Sequence, residues 1–297
     1  MNLYNNLKPK VSVGVLCFNE EKHLKKLIYN LLNQSYENLE IIISDNNSND
    51  GSQKIISNLK RQNPQLKVNF FKKNYGSLNN FLQVLKMSTG EYFFITSPGD
   101  ELNKNFIKEC MKIHLEKRRA CVMCSTKLKS KKRFIRFIDF KKINNFNNLS
   151  SFKQSQLLRS TDSKIKNLKL NFFMLGIFKQ SILKNVIDSF IEKNIPPDNE
   201  RVILFCICMI GKLYHIDKVL FTKFENRKAS LDEKFTHKRS NPSSIILNFR
   251  IISGLKNVYW LTKIKFSVII LNILLYKIKI HVFGILVKIR DSLRKVK

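Results

Sequence analysis

A chain of 297 residues holds one large domain with an appendage, or two modest domains, and its 43% hydrophobic residues are enough to build a substantial core. That composition excludes an intrinsically disordered chain. The net charge of +32, from 54 Lys+Arg against 22 Asp+Glu, favours anionic partners: nucleic acid, anionic lipid or phosphorylated substrates.

Met1 to Lys10 is polar and carries no secretory signal, so a reduced, cytoplasmic compartment is expected. Val11 to Cys17 then reads as a buried strand ending at polar Asn19-Glu20-Glu21. Leu24, Leu27, Ile28, Leu31 and Leu32 recur at helical spacing. Leu39 to Ile43 is a second buried strand, stopped by Ser44-Asp45-Asn46-Asn47-Ser48-Asn49-Asp50-Gly51, residues that cap helices and make Asx turns. A helix through Ile55, Ile56 and Leu59, a strand at Val68 to Phe71, a helix over Leu78 to Met87 and a strand at Tyr92 to Thr96 complete the series.

Strands alternating with helices imply βαβ units and a parallel sheet, in which ligands bind beyond the carboxyl ends of the strands. Three loops leave those ends carrying carboxylates: Phe18 to Glu21, Ser44 to Gly51 and Ser97 to Glu101. The middle of the chain is less regular. Cys121 and Cys124 have the spacing of half a zinc site but lack a matching second pair, so they read as structural. Lys127 to Lys142 holds eight Lys/Arg and reads as a solvated hairpin or loop. Ser181 to Ile191 and Arg201 to Ile210 read as helices joined by a turn at Pro196-Pro197-Asp198, and a strand is expected near Tyr214 to Phe221.

From Ile245 to Lys297 the chain holds eleven Lys/Arg and only Asp291 as an acid, interleaved with apolar residues and Trp260. Its longest apolar run, Phe266 to Tyr276, falls short of the roughly 18 residues of a membrane span and is fenced by lysines. Residues 1–230 are therefore expected as the catalytic-type domain and 231–297 as a basic amphipathic helical tail. Such a tail lies on an anionic membrane surface, here the inner face of the membrane, without crossing it.

Taken together, these blocks carry a resemblance. Val11-Ser12-Val13 leading to Asn19-Glu20-Glu21, Leu31 to Tyr36, Leu39 to Ser52, Asn74 to Phe81 and Gly90 to Phe94 stand in the order found in family 2 glycosyltransferases. The stretch from Pro9 to about Glu101 resembles the N-terminal half of that family. The resemblance implies an α/β GT-A fold, a Rossmann-like, mostly parallel sheet flanked by helices. It also implies a nucleotide-diphospho-sugar donor and a divalent metal, Mn²⁺ or Mg²⁺. Carried over by position, Asn19 and Glu21 meet the nucleotide, Asp45 accepts a hydrogen bond from the base, and Asn47 lies in the same loop. Asn80 falls in the helix start that flanks the donor pocket. Read without the resemblance, Asp45 caps the helix that starts near Gly51, and Asn80 caps its own helix.

The family's Asp-x-Asp metal motif is altered. Ser97, Pro98 and Gly99 occupy its place, and Asp100, helped by Glu101, remains as the expected metal ligand. Pro197 to Arg201 resembles the acidic acceptor-side motif. Glu200 aligns with the general base, and Asp198 is the alternative two residues upstream. Both also suit the first turn of a helix, where acids complement the dipole. Lys223 and Asn226 stand near the family's Arg-x-His, which leaves Lys223 or Arg227 as a charged donor for the diphosphate.

The expected activity is therefore inverting sugar transfer to a glycan or lipid-linked acceptor. The competing readings are an inactive scaffold and an anion-binding protein. No helix-turn-helix, finger or RNP-like pattern supports specific nucleic-acid readout.

Overall fold

The computed structural model describes residues 8–130, 135–138, 145–159, 174–197 and 200–225. The expected tail from 231 to 297, Arg227 and Asp198 lie outside the described residues. The first half follows the sequence pattern closely: β1 (Val11–Cys17), α1 (Glu21–Leu32), β2 (Leu39–Asp45), α2 (Ser52–Gln62), β3 (Lys67–Phe70), α3 (Gly76–Met87) and β4 (Tyr92–Thr96). There follow β5 (Glu101–Leu102), α4 (Phe106–Lys117), β6 (Cys121–Ser130), β7 (Ile135–Ile138), a 3₁₀ turn at Phe146–Asn148 and α5 (Ser151–Arg159). β8 (Ile177–Lys179), α6 (Gln180–Glu192), α7 (Glu200–Ile210) and β9 (Leu213–Glu225) complete the described elements.

Among the described residues, nine strands form one sheet in the order β3-β2-β1-β4-β8-β6-β9-β5, with β7 paired to β6. The segment β3-β2-β1-β4 is parallel throughout. Beyond it the sheet is mixed: β8 is antiparallel to both β4 and β6, β9 runs parallel to β6, and β5 is antiparallel to β9. The expected basic loop near Lys127 to Lys142 includes the β6–β7 hairpin.

Because strand side chains alternate, the sheet feeds two cores. Val11, Val13, Val15, Cys17, Ile41, Ile43 and Phe94 pack with α1, α2 and α4 on one face. Ile42, Phe93, Met123 and Phe178 pack with α3, α6 and α7 on the other. The helical stripe of α1 explains its docking: Leu24, Leu27, Ile28 and Leu31 are all buried, each contributing about 1.5–3 kcal/mol. The same alternation separates Cys121 from Cys124. They are three residues apart on one strand, and they join opposite cores, Cys121 with Cys206 and Cys208, Cys124 with Cys17 and Cys110. All six thiols are free and buried, and burial pushes Cys124 up to about 12.

α4 has one polar residue in its buried stripe. His114 is 1% exposed, and its Nε2 lies 2.8 Å from the Ile177 carbonyl, so Nε2–H donates across to β8. Burial outweighs that hydrogen bond and holds the imidazole down at about 4. The unfolded chain, with an ordinary histidine near 6.5, therefore binds the extra proton in the window between these values. Stability is fully present above about pH 6.5 and is lost as pH falls toward 4. Denaturant unfolding should show about 2 kcal/mol less stability at pH 5 than at pH 7.5 from this group. In His114→Gln that difference should shrink by the same amount, and an unchanged slope would refute the assignment.

Candidate active site

The strand order reverses between β1 and β4: β2 and β3 lie on one side of β1, and β4 lies on the other. That switch point opens a crevice beyond the carboxyl ends of the strands. The three carboxylate-bearing loops, after β1, β2 and β4, all leave strands at that edge.

The first two loops are stitched together. The Asn19 N–H donates to Ser48 Oγ at 2.8 Å, and Asn19 Oδ1 accepts from the Asn49 N–H at 2.9 Å. Glu20 N–H donates to Ser52 Oγ at 2.9 Å, and Glu21 N–H to Asp50 Oδ2 at 3.1 Å. Glu21 Oε2 accepts from the Gly51 N–H at 2.8 Å. A Cβ on Gly51 would sit 2.7 Å from that oxygen, so a larger residue there would push the Glu21 carboxylate aside. Burial pushes the Asp50 carboxyl up, but hydrogen bonds from Ser52 and the Glu21 amide outweigh it and leave it below the usual range. Asn19 Oδ1 and Glu21 Oε2 are thus spent on loop geometry. Asn47, at φ 63° and exposed, points no hydrogen-bonding group into that network among the described contacts.

Asp45 is 0% exposed. Its Oδ2 accepts from the Ser48 N–H at 2.9 Å and from Gln53 Nε2 at 2.9 Å, and its Oδ1 accepts from the Ser48 hydroxyl at 2.5 Å. It is therefore the hub of its own loop. It does not cap α2, which is preceded by Gly51. Asn80 is not a cap either. It lies inside α3, 3% exposed, and its Nδ2 donates to the Ser44 carbonyl at 3.2 Å and the Cys17 carbonyl at 3.4 Å. It ties together the ends of β1 and β2. Asn46, which the sequence pattern did not single out, links the loop onward: its Nδ2 donates to Asn74 Oδ1 at 2.8 Å and its Oδ1 accepts from the Tyr75 N–H at 2.9 Å. The amide-rich Asn46, Asn74 and Asn80 set was the available signal.

The third loop is a tight turn. The Asp100 N–H donates to the Ser97 carbonyl at 3.0 Å, with Pro98 second and Gly99 third at φ 94°, the residue pattern of a type II turn. The turn folds the Asp100 side chain back under the strand end. Its Oδ2 accepts from the Thr96 hydroxyl at 3.1 Å, the Ser97 N–H at 3.0 Å and the Lys223 ammonium at 3.0 Å. Glu101 is held by Lys26 at 2.6 Å and Lys129 at 3.4 Å, one on each carboxylate oxygen. The Lys26 hydrogen bond is the main reason its carboxyl lies below the usual range.

Asp100 and Glu101 as arranged do not fit a divalent cation. A hard cation on a diphosphate takes its protein oxygens from one or two carboxylates, and these must be free to turn toward it. One oxygen of Asp100 already takes three donors, both oxygens of Glu101 lie on lysines, and no group of three His, Cys, Asp or Glu that could hold a metal occurs among the described residues. A metal at Asp100 would also face the Lys223 ammonium at close range.

A cavity of about 240 Å³ opens beside this turn, lined by Ile95, Thr96, Ser97, Met174, Leu175, Glu200 and Lys223. β9 runs past the β4 end by way of β5, with Glu101 paired to Thr222, and so delivers Lys223. α7 begins at Glu200, which delivers a carboxylate to the same cavity. Two residues more than a hundred positions downstream of the Ser97 turn thus meet it in one space.

Residues 12–174, just over half of the chain, match the family model described as Glycosyl transferase family 2. The GalNAc(5)-diNAcBac-PP-undecaprenol beta-1,3-glucosyltransferase of Campylobacter jejuni is 36% identical over 96 residues, which are 32% of this chain and 31% of that protein. The chain thus spans about a third of that relative's length. Staphylococcus aureus TarS 1-349 in complex with UDP superimposes with a TM-score of 0.54 at 18% identity, over 82% of this chain and 64% of that one. The mannosyltransferase PcManGT from Pyrobaculum calidifontis, in complex with GDP-Man and Mn²⁺, does so with a TM-score of 0.50 at 17% identity, over 73% and 57%. These two structures share the fold, a GT-A α/β sheet between helical layers. The switch-point crevice, the stitched loops of the first half and the family match coincide on the same residues, and the chain belongs to glycosyl transferase family 2.

Proposed function

We propose that this chain transfers a sugar, with inversion, from a nucleotide-diphospho-sugar to a hydroxyl of a glycan or lipid-linked acceptor. The observation that carries this reading is the cavity beyond β4, where the Glu200 carboxylate and the Lys223 ammonium share one space beside the donor-side turn. Inverting transfer is a single displacement. The acceptor oxygen bonds to the anomeric carbon, its proton passes to the Glu200 carboxylate, and the bond from that carbon to the diphosphate oxygen breaks with its electron pair. Asp198 is the alternative base. Asp45 accepts the base N–H of the nucleotide, exchanging the Gln53 amide for it, since a carboxylate is only an acceptor. Asn19, Glu21 and Asn47 form the floor against which the nucleotide packs.

The acceptor class is suggested by what the Campylobacter relative's name says of that protein, a PP-undecaprenol-linked substrate. Eleven Lys/Arg against one acid from Ile245 to Lys297 support work at an anionic membrane surface, each basic residue there contributing about 1 kcal/mol. No helix among the described residues is long and apolar enough to cross a membrane.

The test is a thermal-shift screen of UDP-, GDP- and dTDP-sugars with and without Mn²⁺, run beside flotation on neutral and anionic liposomes. One donor at 100-fold its Kd should add about 2.7 kcal/mol of stability. Flotation should require anionic lipid. Absence of stabilisation by every donor would remove the transferase reading, and flotation equal on both lipids would remove the membrane part alone.

A further inference from the structure

The charges around the Ser97–Asp100 turn are inverted relative to a metal site. Asp100 and Glu101 supply two carboxylates, and Lys223, Lys26 and Lys129 bring three ammonium groups onto them, leaving one net positive charge. Lys223 is the member that faces the cavity. Its side chain is 28% exposed, and its partner Asp100 only 4%. Asp100 is itself fixed by the Thr96 hydroxyl and the Ser97 amide, so the ammonium is held by an anchor that cannot swing away without breaking two further hydrogen bonds. An ammonium has three donors and gives one to Asp100, which leaves two for a ligand in the cavity.

The geometry points to Lys223 as a built-in cation. Positioned by Asp100, it binds the donor diphosphate and stabilises the charge that develops as the diphosphate leaves, so that donor binding and transfer proceed without a divalent metal. This rests on the nucleotide-sugar reading above and deepens it. The physical basis is that a fixed cation aimed at developing charge does the electrostatic work of a metal with no reorganisation during the reaction. Lysine also binds phosphate readily as a point charge. Asp100 is thereby a positioning residue for Lys223, in place of the metal ligand the sequence motif suggested.

The experiment measures binding of UDP, GDP and dTDP by calorimetry, in EDTA and in Mn²⁺, for wild type, Lys223→Met and Lys223→Arg. In the wild type, the diphosphate that binds should have the same Kd in EDTA and in Mn²⁺ within about twofold. Lys223→Met, close to lysine in length, should weaken that diphosphate about 10- to 100-fold in EDTA while leaving the matching nucleoside's affinity unchanged. Because Asp100 is then released, Mn²⁺ should restore part of the lost affinity in Lys223→Met. A merely structural role for Lys223 would show no such gain of metal response. Lys223→Arg should retain most of the metal-free binding. Wild-type binding that disappears in EDTA overturns the inference without recourse to any variant and leaves the transferase reading intact. Equal diphosphate affinity in Lys223→Met and wild type overturns it too. If none of the three diphosphates binds under either condition, the donor reading fails and this inference falls with it.

Discussion

Glu200→Gln should bind donor normally and lose turnover by about 10² to 10⁴, the usual contribution of a positioned general base. The substitution keeps the shape of the side chain and removes its ability to take a proton. Glu200 is the first residue of α7 and lies on the wall of the cavity that also holds Ser97 and Lys223. The matched control is Asp198→Asn. Loss of turnover in Asp198→Asn alone moves the base two residues upstream, and retention of turnover in both variants removes general-base catalysis from this motif. Donor affinity must be read in the same preparations, because a fall in affinity would trace the loss to binding.

Asp45→Ala should lower both nucleotide affinity and thermal stability. From sequence, this position was expected to weaken nucleotide binding with little effect on melting. The structure changes the second half of that expectation. A fully buried carboxylate takes the Ser48 amide, the Ser48 hydroxyl and the Gln53 amide, and removing it strands the two Ser48 donors, while Gln53 Nε2 keeps the Ser48 carbonyl at 3.3 Å. Buried donors left unpaired cost about 1–3 kcal/mol each, and the loop can relax to recover part of that, so a net loss of about 2–3 kcal/mol is expected. For a domain of this size each kcal/mol shifts the melting temperature by about 2–4 °C. Scanning calorimetry on Asp45→Ala and Asp45→Asn checks this. Asn keeps an acceptor oxygen and should recover part of the stability, while a melting temperature unchanged in Asp45→Ala would show that the loop does not depend on this hub.

The half of the fold that was legible in the sequence is the half built from local repeats. In β1 through β3 each strand is followed by its own helix, so the period of two in Val11, Val13 and Val15 and the period near 3.6 in Leu24, Leu27, Ile28 and Leu31 carried the architecture directly. α4 was missed although Phe106, Cys110 and His114 recur every four residues, because Lys108, Glu109 and Lys112 interrupt the apolar count and a histidine stands in the buried stripe. β8 was legible only through the family resemblance, in which Gly176 to Ser181 matches the acceptor-side strand and turn, and not from its local pattern. Its three residues are a strand only because β4 and β6 flank them, and those partners lie far away along the chain.

The candidate site divides in the same way. The loops after β1 and β2 were recognisable as blocks, but the sequence could not tell that the Asn19, Glu21 and Asp50 side chains accept from backbone N–H groups of those loops and of the helix starts beside them, those of Asn49, Gly51, Glu21 and Ser52. The Asp100–Lys223 pair joins residues 123 positions apart, and a single carboxylate read without its partner looks like a metal ligand. Lys223 was noticed as a charge near the diphosphate. Its meeting with Asp100 follows only from the way β5 pairs with β9.

The cysteines give the folded protein a use in the laboratory that its chemistry does not suggest. Three lie in each core, Cys17, Cys110 and Cys124 under one helical layer and Cys121, Cys206 and Cys208 under the other. A reagent that attacks thiolates finds none at the surface, because all six are buried. Each becomes reactive only when its own layer opens. The unmodified chain therefore carries two sets of internal reporters, and the order in which they are labelled distinguishes the layer that loosens first from the layer that holds longest.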